Sequence, residues 1–543
     1  MTSRREFLQA SVISGVAGAL APVGCSAPST TRTDHPAPEV PTFELDEITV
    51  HELQEGMQSG KFTARSLAEK YLSRIDAIDR GGPALRSVIE TNPDALSIAD
   101  GLDKERKEKG PRGPLHGIPI LIKDNIDTAD GMMTTAGSLA LVGAKPLRDS
   151  FVAEKLRAAG ALILGKTNPS EWANIRSSHS ISGWSGRGGL TRNPYALNRN
   201  ACGSSSGSGA GISANLAAIA IGTETDGSIM CPSSINGVVG IKPTVGLISR
   251  RGIIPISHTQ DTAGPMARTV RDAAILLGAL TGVDPGDSAT LESQGKSLPD
   301  YTHSLDANGL KGARIGVVRK YFGFSPRVDK IIEQALDALK QQGATLVDPA
   351  DIETIGKMGP NERLVLSYEL KADLNAYLAG LGPAAPVHTL SEVIAFNERV
   401  RDKEMPFFGQ DQFLAAEAKG PLTTKEYLDA LKDNHRMARA EGIDAVMDKF
   451  KLDALVAPTG GAAWITDLVN GDSHGGGSSQ AAAIAGYPSV TVPAGFIFGL
   501  PVGISFIGRA WSEATLIKLA YSFEQATKVR KPPKYLPTVD LKA

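Results

Sequence analysis

The 543-residue chain has little cysteine, few aromatic residues, no excess of either charge and no apolar run long enough to cross a bilayer. Each shortage argues against a class of function. Fifty-seven basic residues face 59 acidic ones, so there is no basic footprint for a nucleic-acid backbone. Aromatic residues make up 5% of the chain, too few for a platform that stacks single-stranded bases. The three cysteines, Cys25, Cys202 and Cys231, do not make a disulfide framework. The nine histidines show no H-x-x-x-H spacing and the cysteines no C-x-x-C. Metal catalysis therefore has no sequence support, and no cofactor is expected. What the chain does have is glycine, 58 residues of it, which implies many tight turns and close backbone approaches.

Arg4 and Arg5 precede "ASVISGVAGALAPV", residues 10–23. This apolar stretch is too short to span a bilayer but suits the h-region of a twin-arginine signal peptide. The sequence thus predicts a signal over 1–27, a disordered linker over 28–41 and a mature chain over 42–543 without a transmembrane segment, exported to the periplasm. Cys25 offers a lipid-attachment site, although Pro22 stands where such sites usually carry leucine. Cleavage leaves Cys202 and Cys231, which are expected as buried free thiols; export keeps a bridge between them open.

Along the mature chain, apolar residues recur at helical spacing over 46–78. "HGIPILIKDN" (116–125) reads as a buried strand, and 151–164 as a helix, a Gly160 stop and a strand. The small apolar stretch 210–222 reads as a closely packed helix. A strand at 312–318, a helix near 327–342, helices over 360–450, three strands and a helix at 512–527 follow. Strands and helices interleave, so the class is α/β with a large central sheet. The segment 300–450 reads as a mostly helical lobe.

Two motifs mislead. "GALILGKT" (160–167) fits the phosphate-loop pattern, but its middle residues suit a strand interior, and Asn168-Pro169 follows where a helix should run. "GSSSG" (203–207) fits the nucleophile elbow around Ser205, yet a polar, turn-like segment precedes it instead of a strand.

"GTETDGSIMCPSS" (222–234) holds Ser228 among turn residues, with no histidine to take its proton. A neutral lysine is the next base available, and burial can lower an amine's pKa by several units. Lys123 ends the apolar run 118–122. Strand alternation points it away from Asp124, so no adjacent carboxylate holds its proton. Spacing alone equally suits a lysine reaching solvent at a strand end. The hydroxyls of "CGSSSGSG" (202–209) could relay a proton between the two.

Lys123 in "GIPILIKDN", "CGSSSGSGA" and "GTETDGSI" occur in an order that resembles the amidase signature family, as do "TQDTAGPMARTVRDAA" (259–274) and the block 487–516. The resemblance implies a single-domain α/β/α sandwich around a mixed sheet, with Lys123 as base, Ser204 as bridging serine and Ser228 as nucleophile. It implies amide cleavage through an acyl-enzyme without metal or cofactor. The backbone N–H groups of Thr225, Asp226, Gly227 and Ser228 would hold the oxyanion. Ser206 and Asp226 stand where the family usually has glycine. Together with "SEWANIRSSHSISGWSGRGG" (170–189), these motifs look most like the peptide amidase branch, which removes ammonia from C-terminally amidated peptides. The expected partner is therefore a peptide or small-molecule amide. Alternatives are an aryl or fatty-acyl amidase, an amidotransferase-type subunit, or a non-enzymatic periplasmic binding protein. The sequence leaves the oligomeric state open.

Overall fold

The computed structural model describes residues 38–541. The signal-peptide reading over 1–27, and the linker as far as residue 37, lie outside them. The strands in chain order are β1 Val88–Thr91, β2 Pro119–Lys123, β3 Leu162–Thr167, β4 Trp184–Ser185, β5 Gly189–Leu190, β6 Ile219–Glu224, β7 Val239–Lys242, β8 Thr262–Ala267, β9 Arg314–Val317, β10 Thr345–Val347, β11 Ala454–Pro458, β12 Ser489–Ile497 and β13 Leu500–Ile507. All but β4 and β5 form one 11-stranded sheet, ordered β1-β3-β2-β6-β8-β7-β12-β13-β11-β9-β10. It is mixed: β2 runs parallel to β3 and β6, and β9 to β10 and β11, while the other pairings are antiparallel.

Helices pack around the sheet because its strands are apolar on both faces. β2 and β3 are buried at every position, as near-continuous apolar runs in covered parallel strands are. Along β11, Ala454 and Val456 join one core cluster while Leu455 and Ala457 join another, so alternate side chains enter opposite layers. β3 contains the phosphate-loop lookalike, and Gly165 within it is required for pairing: a Cβ there would lie 2.5 Å from Glu90 O on β1.

One expected element is divided. The stretch 210–222 is not a single helix. A helix spans Ser206–Ser213, Asn215 turns with φ 60°, and Ile219 begins β6. Glycine lets the helix sit against neighbouring backbone, since a Cβ on Gly207 would lie 2.1 Å from Ser87 O. The branched run Ile219-Ala220-Ile221 is then free to enter the sheet.

The long helix Gly359–Gly380 leads the expected helical segment. Leu370, Leu374 and Leu378 on it pack with Trp172, Leu390, Val393 and Phe413, which places the helix against the loop after β3. Among the described residues no helix is long and apolar enough to cross a membrane.

Candidate active site

Lys123 is the last residue of β2 and is fully buried. Its Nζ lies 2.8 Å from Ser204 Oγ, 2.9 Å from Thr223 Oγ1 and 3.3 Å from Thr223 O. Alternation separates it from Asp124 as expected: that carboxylate turns to Thr135, the Gly137 N–H and Arg187. Burial is the main cause that lowers the Lys123 pKa, from 10.5 to about 7; Asp261 and Glu224 pull it the other way. A neutral amine has two N–H donors and one lone pair. Thr223 offers an acceptor for each N–H, which leaves the lone pair for the Ser204 hydroxyl. Asn125 Nδ2 donates to Thr223 Oγ1 at 3.0 Å, and the two acceptor sites of that hydroxyl are then filled. Thr223 and Asn125 thus orient the amine. The sequence reading missed both, because neither type in isolation signals catalysis.

Ser204 follows a cis peptide bond from Gly203, and its carbonyl accepts from Ser170 N at 3.0 Å. Ser205, the centre of the false elbow, stitches two loops together. Its N–H donates to Ser228 O at 3.2 Å, its Oγ donates to Thr223 O at 3.0 Å, and it accepts from Thr223 N at 3.1 Å.

Ser228 lies on the turn that follows β6. Its Oγ has no hydrogen-bond partner among the described residues, and it is 9% exposed where Lys123 and Ser204 are 0%. Glu224, at the end of β6, accepts from Ile229 N at 2.7 Å and Met230 N at 3.0 Å. A buried carboxylate therefore fixes the chain just past Ser228, at the N-terminus of the helix Met230–Ile235, where negative charge is favourable. Among the described residues the backbone N–H groups of Asp226, Gly227 and Ser228 have no hydrogen-bond acceptor, and Gly227 has φ 75°. Thr225 turns its hydroxyl to Asp261 at 2.5 Å.

Asp226 is not tied to its own loop. Its carboxyl faces Glu362 on the helix Gly359–Gly380, and burial, then the Glu362 charge, raises its pKa. Glu362 accepts from Gln480 Nε2 at 2.8 Å and Gln260 Nε2 at 3.1 Å. Burial also raises the Glu362 pKa, against the pull of its hydrogen bonds from Gln480 and Gln260.

Cys202 and Cys231, expected as free thiols, are joined by a disulfide, with Cα atoms 6.1 Å apart. Interlocking of the loops that carry Ser204 and Ser228 brings them together across a separation of 29 residues, which no spacing reveals.

A small space bounded by Lys123, Trp172, Ile175 and Leu370 shares Asn125, Ala173, Ile254, Pro255 and Ile256 with a cavity of about 370 Å³. That cavity extends to Arg250, His258, Asp373 and Tyr377. Trp172, Ala173 and Asn174 all have positive φ (47°, 53° and 71°), uncommon outside glycine, and this turn puts Trp172 and Ala173 on the wall. A larger cavity of about 730 Å³ beside Arg106, Arg112 and Arg271 contains none of the residues above.

The geometry has close counterparts. The chain is 51% identical to the native peptide amidase from Stenotrophomonas maltophilia, with a TM-score of 0.87 over 91% of this chain and 100% of that one. It is 36% identical to an amidase family protein from Bacillus anthracis, with a TM-score of 0.82 over 90% of this chain and 93% of that one. It is 43% identical to a probable amidase of Arabidopsis thaliana, over 91% of this chain and 93% of the relative. The amidase family model matches residues 66–517, a span that holds Lys123, both loop serines and the helix that carries Glu362. With the family matched over most of its length and the mixed 11-stranded sheet of the peptide amidase fold, this chain belongs to the amidase family and is an amide-hydrolysing enzyme.

Proposed function

We propose that the enzyme hydrolyses C-terminal peptide amides to the free peptide acid and ammonia, through a relay in which Lys123 is the base, Ser204 the bridge and Ser228 the nucleophile. The observation that carries the relay is the 2.8 Å contact between Ser204 Oγ and a buried lysine whose pKa lies near neutrality. In the first step Ser228 Oγ attacks the amide carbon, its proton passes to Ser204, and the Ser204 proton passes to Lys123. The N–H groups of Asp226, Gly227 and Ser228 receive the oxyanion. The proton returns along the same path to the leaving nitrogen and ammonia departs. Water then attacks the acyl-Ser228 ester with the same groups as general base.

Two observations support the peptide amide as substrate. One is the 51% identity to a peptide amidase across 91% of the chain. The other is the cavity of about 370 Å³ that shares Ile254, Pro255 and Ile256 with the small space at Lys123; with Ile253 these residues form an apolar wall that suits an amino-acid side chain. The test is ammonia release from amidated peptides, simple aliphatic and aryl amides, and glutamine. Amidated peptides should be the best substrates by kcat/KM; a preference for aryl amides or glutamine overturns the specificity. A fluorophosphonate should label the wild type at Ser228 and leave Ser228→Ala unlabelled and inactive. Label on Ser204 or Ser205 instead overturns the assignment.

A further inference from the structure

The disulfide lies between the two serine-bearing loops, and a histidine stands against it. Cys202 is two residues before Ser204 and Cys231 three after Ser228. His474 Nε2 is 3.4 Å from Cys231 Sγ. Both sulfur atoms and a ring nitrogen of His474 lie within 4.8 Å of one another. We propose that reduction of this disulfide creates a metal site, in which the Cys202 and Cys231 thiolates and the His474 imidazole bind a thiophilic divalent ion such as Zn²⁺, with a fourth position open to water.

Zinc bonds sulfur at about 2.3 Å and nitrogen at about 2.0–2.1 Å, so tetrahedral ligand atoms stand roughly 3.5 Å apart. The His474–Cys231 distance of 3.4 Å already matches, and rotation of the Cys202 side chain after reduction would set its sulfur relative to the other two ligands. Neighbouring residues hold the ligands in place. Asn200 Oδ1 accepts from Cys202 N at 2.7 Å, and its Nδ2 donates to Asp472 Oδ1 at 3.4 Å. Asp472 also accepts from Trp464 Nε1 at 3.2 Å, and the Trp464 ring packs edge-on against His474 at 5.3 Å. One residue thus contacts the backbone of the first ligand and the loop of the third. Cys231 is half-buried and His474 exposed, so reductant and ion have access.

The chemistry balances with a dithiol or phosphine as reductant. It supplies two electrons and the S–S bond breaks; a dithiol gives up its own two protons to the thiols and leaves as its disulfide, whereas with a phosphine one water supplies both protons and the oxygen of the phosphine oxide. Zn²⁺ then displaces both thiol protons into solvent as the Zn–S bonds form. A disulfide and a metal each hold residues 202 and 231 together; the free dithiol holds neither loop.

The full chain, reduced with a phosphine, should bind one Co²⁺ with thiolate-to-cobalt charge-transfer absorption that Zn²⁺ bleaches. The unreduced chain should show none. His474→Ala should weaken Co²⁺ binding at least 10-fold, and the double variant Cys202→Ser/Cys231→Ser, which keeps Cys25, should lose the band. No band in the reduced wild type, or equal affinity in His474→Ala, overturns the site. Should reduction unfold the protein, Zn²⁺ added before the reductant must keep the wild type folded but not His474→Ala; unfolding regardless of Zn²⁺ also overturns it.

Discussion

Replacing Lys123 with methionine keeps an unbranched side chain of similar shape in a fully buried place, with a thioether sulfur for the δ-methylene, and removes the amine. Burial lowers the lysine pKa from 10.5 to about 7, and a shift of that size corresponds to about 5 kcal/mol between its two protonation states. At neutral pH half of the molecules then hold a neutral amine, where an unperturbed lysine would be neutral in only about one molecule in 3,000. The wild-type kcat/KM for ammonia release should therefore rise with unit slope at acid pH, bend near pH 7 and level off above it. Lys123→Met should lose about 10³-fold or more and lose the bend, because relay members act as a unit. Stability moves independently. With the folded pKa below the unfolded one, the unfolded chain binds more protons between pH 7 and 10.5, so the lysine makes stability rise with pH across that window. Lys123→Met should remove this rise and be at least as resistant to urea at neutral pH, since no charge need be excluded from the core. Activity in Lys123→Met within tenfold of the wild type, or a wild-type profile flat from about pH 6 to 8, would refute the base assignment.

Removing the disulfide as Cys202→Ser/Cys231→Ser should cost about 3–4 kcal/mol by the loop-entropy relation for its 29-residue separation, read as a lower urea midpoint; an unchanged midpoint contradicts it. Asp226 and Glu362 are neighbouring buried acids, so Asp226→Asn alone leaves the Glu362 carboxyl in place. The double variant with Glu362→Gln removes both carboxyls and should tighten inhibition by the free-acid product, relative to the amide KM, by roughly 10-fold, as expected from loss of a like charge about 6 Å away. An unchanged ratio makes the pair loop-shaping only. Arg4 and Arg5 carry the proposal of folded export, which the disulfide supports as a feature of oxidising compartments. Replacing both with lysine should strand the precursor in the cytoplasm, seen by cell fractionation, and unchanged export excludes the twin-arginine route.

Local physics made much of this protein legible from its residues. The run Ile118–Ile122 had to be a buried strand, and alternation alone aimed Lys123 away from Asp124. The strand character of Ala161–Leu164 excluded a phosphate loop at the same residues, and β3 is there. The order of lysine, serine loop and second serine pointed to the chemistry. Tertiary structure decided the rest, because it depends on contacts between residues remote in the chain. Lys123 meets Ser204 across 81 residues, and its pKa falls only because β2, β6 and the two loops close around it. Thr223 and Asn125 gained a role only when folding pointed them at one amine. Asp226 faces Glu362 on the helix Gly359–Gly380, far along the chain, a neighbour that its own loop does not indicate. Cys202 and Cys231 became a disulfide, with His474 beside it, because two loops interlock past the end of the interior strand β6. Periodicity reports which face of an element is buried; it carries no information on which buried faces meet, and there Lys123, Ser204 and Thr223 were brought together.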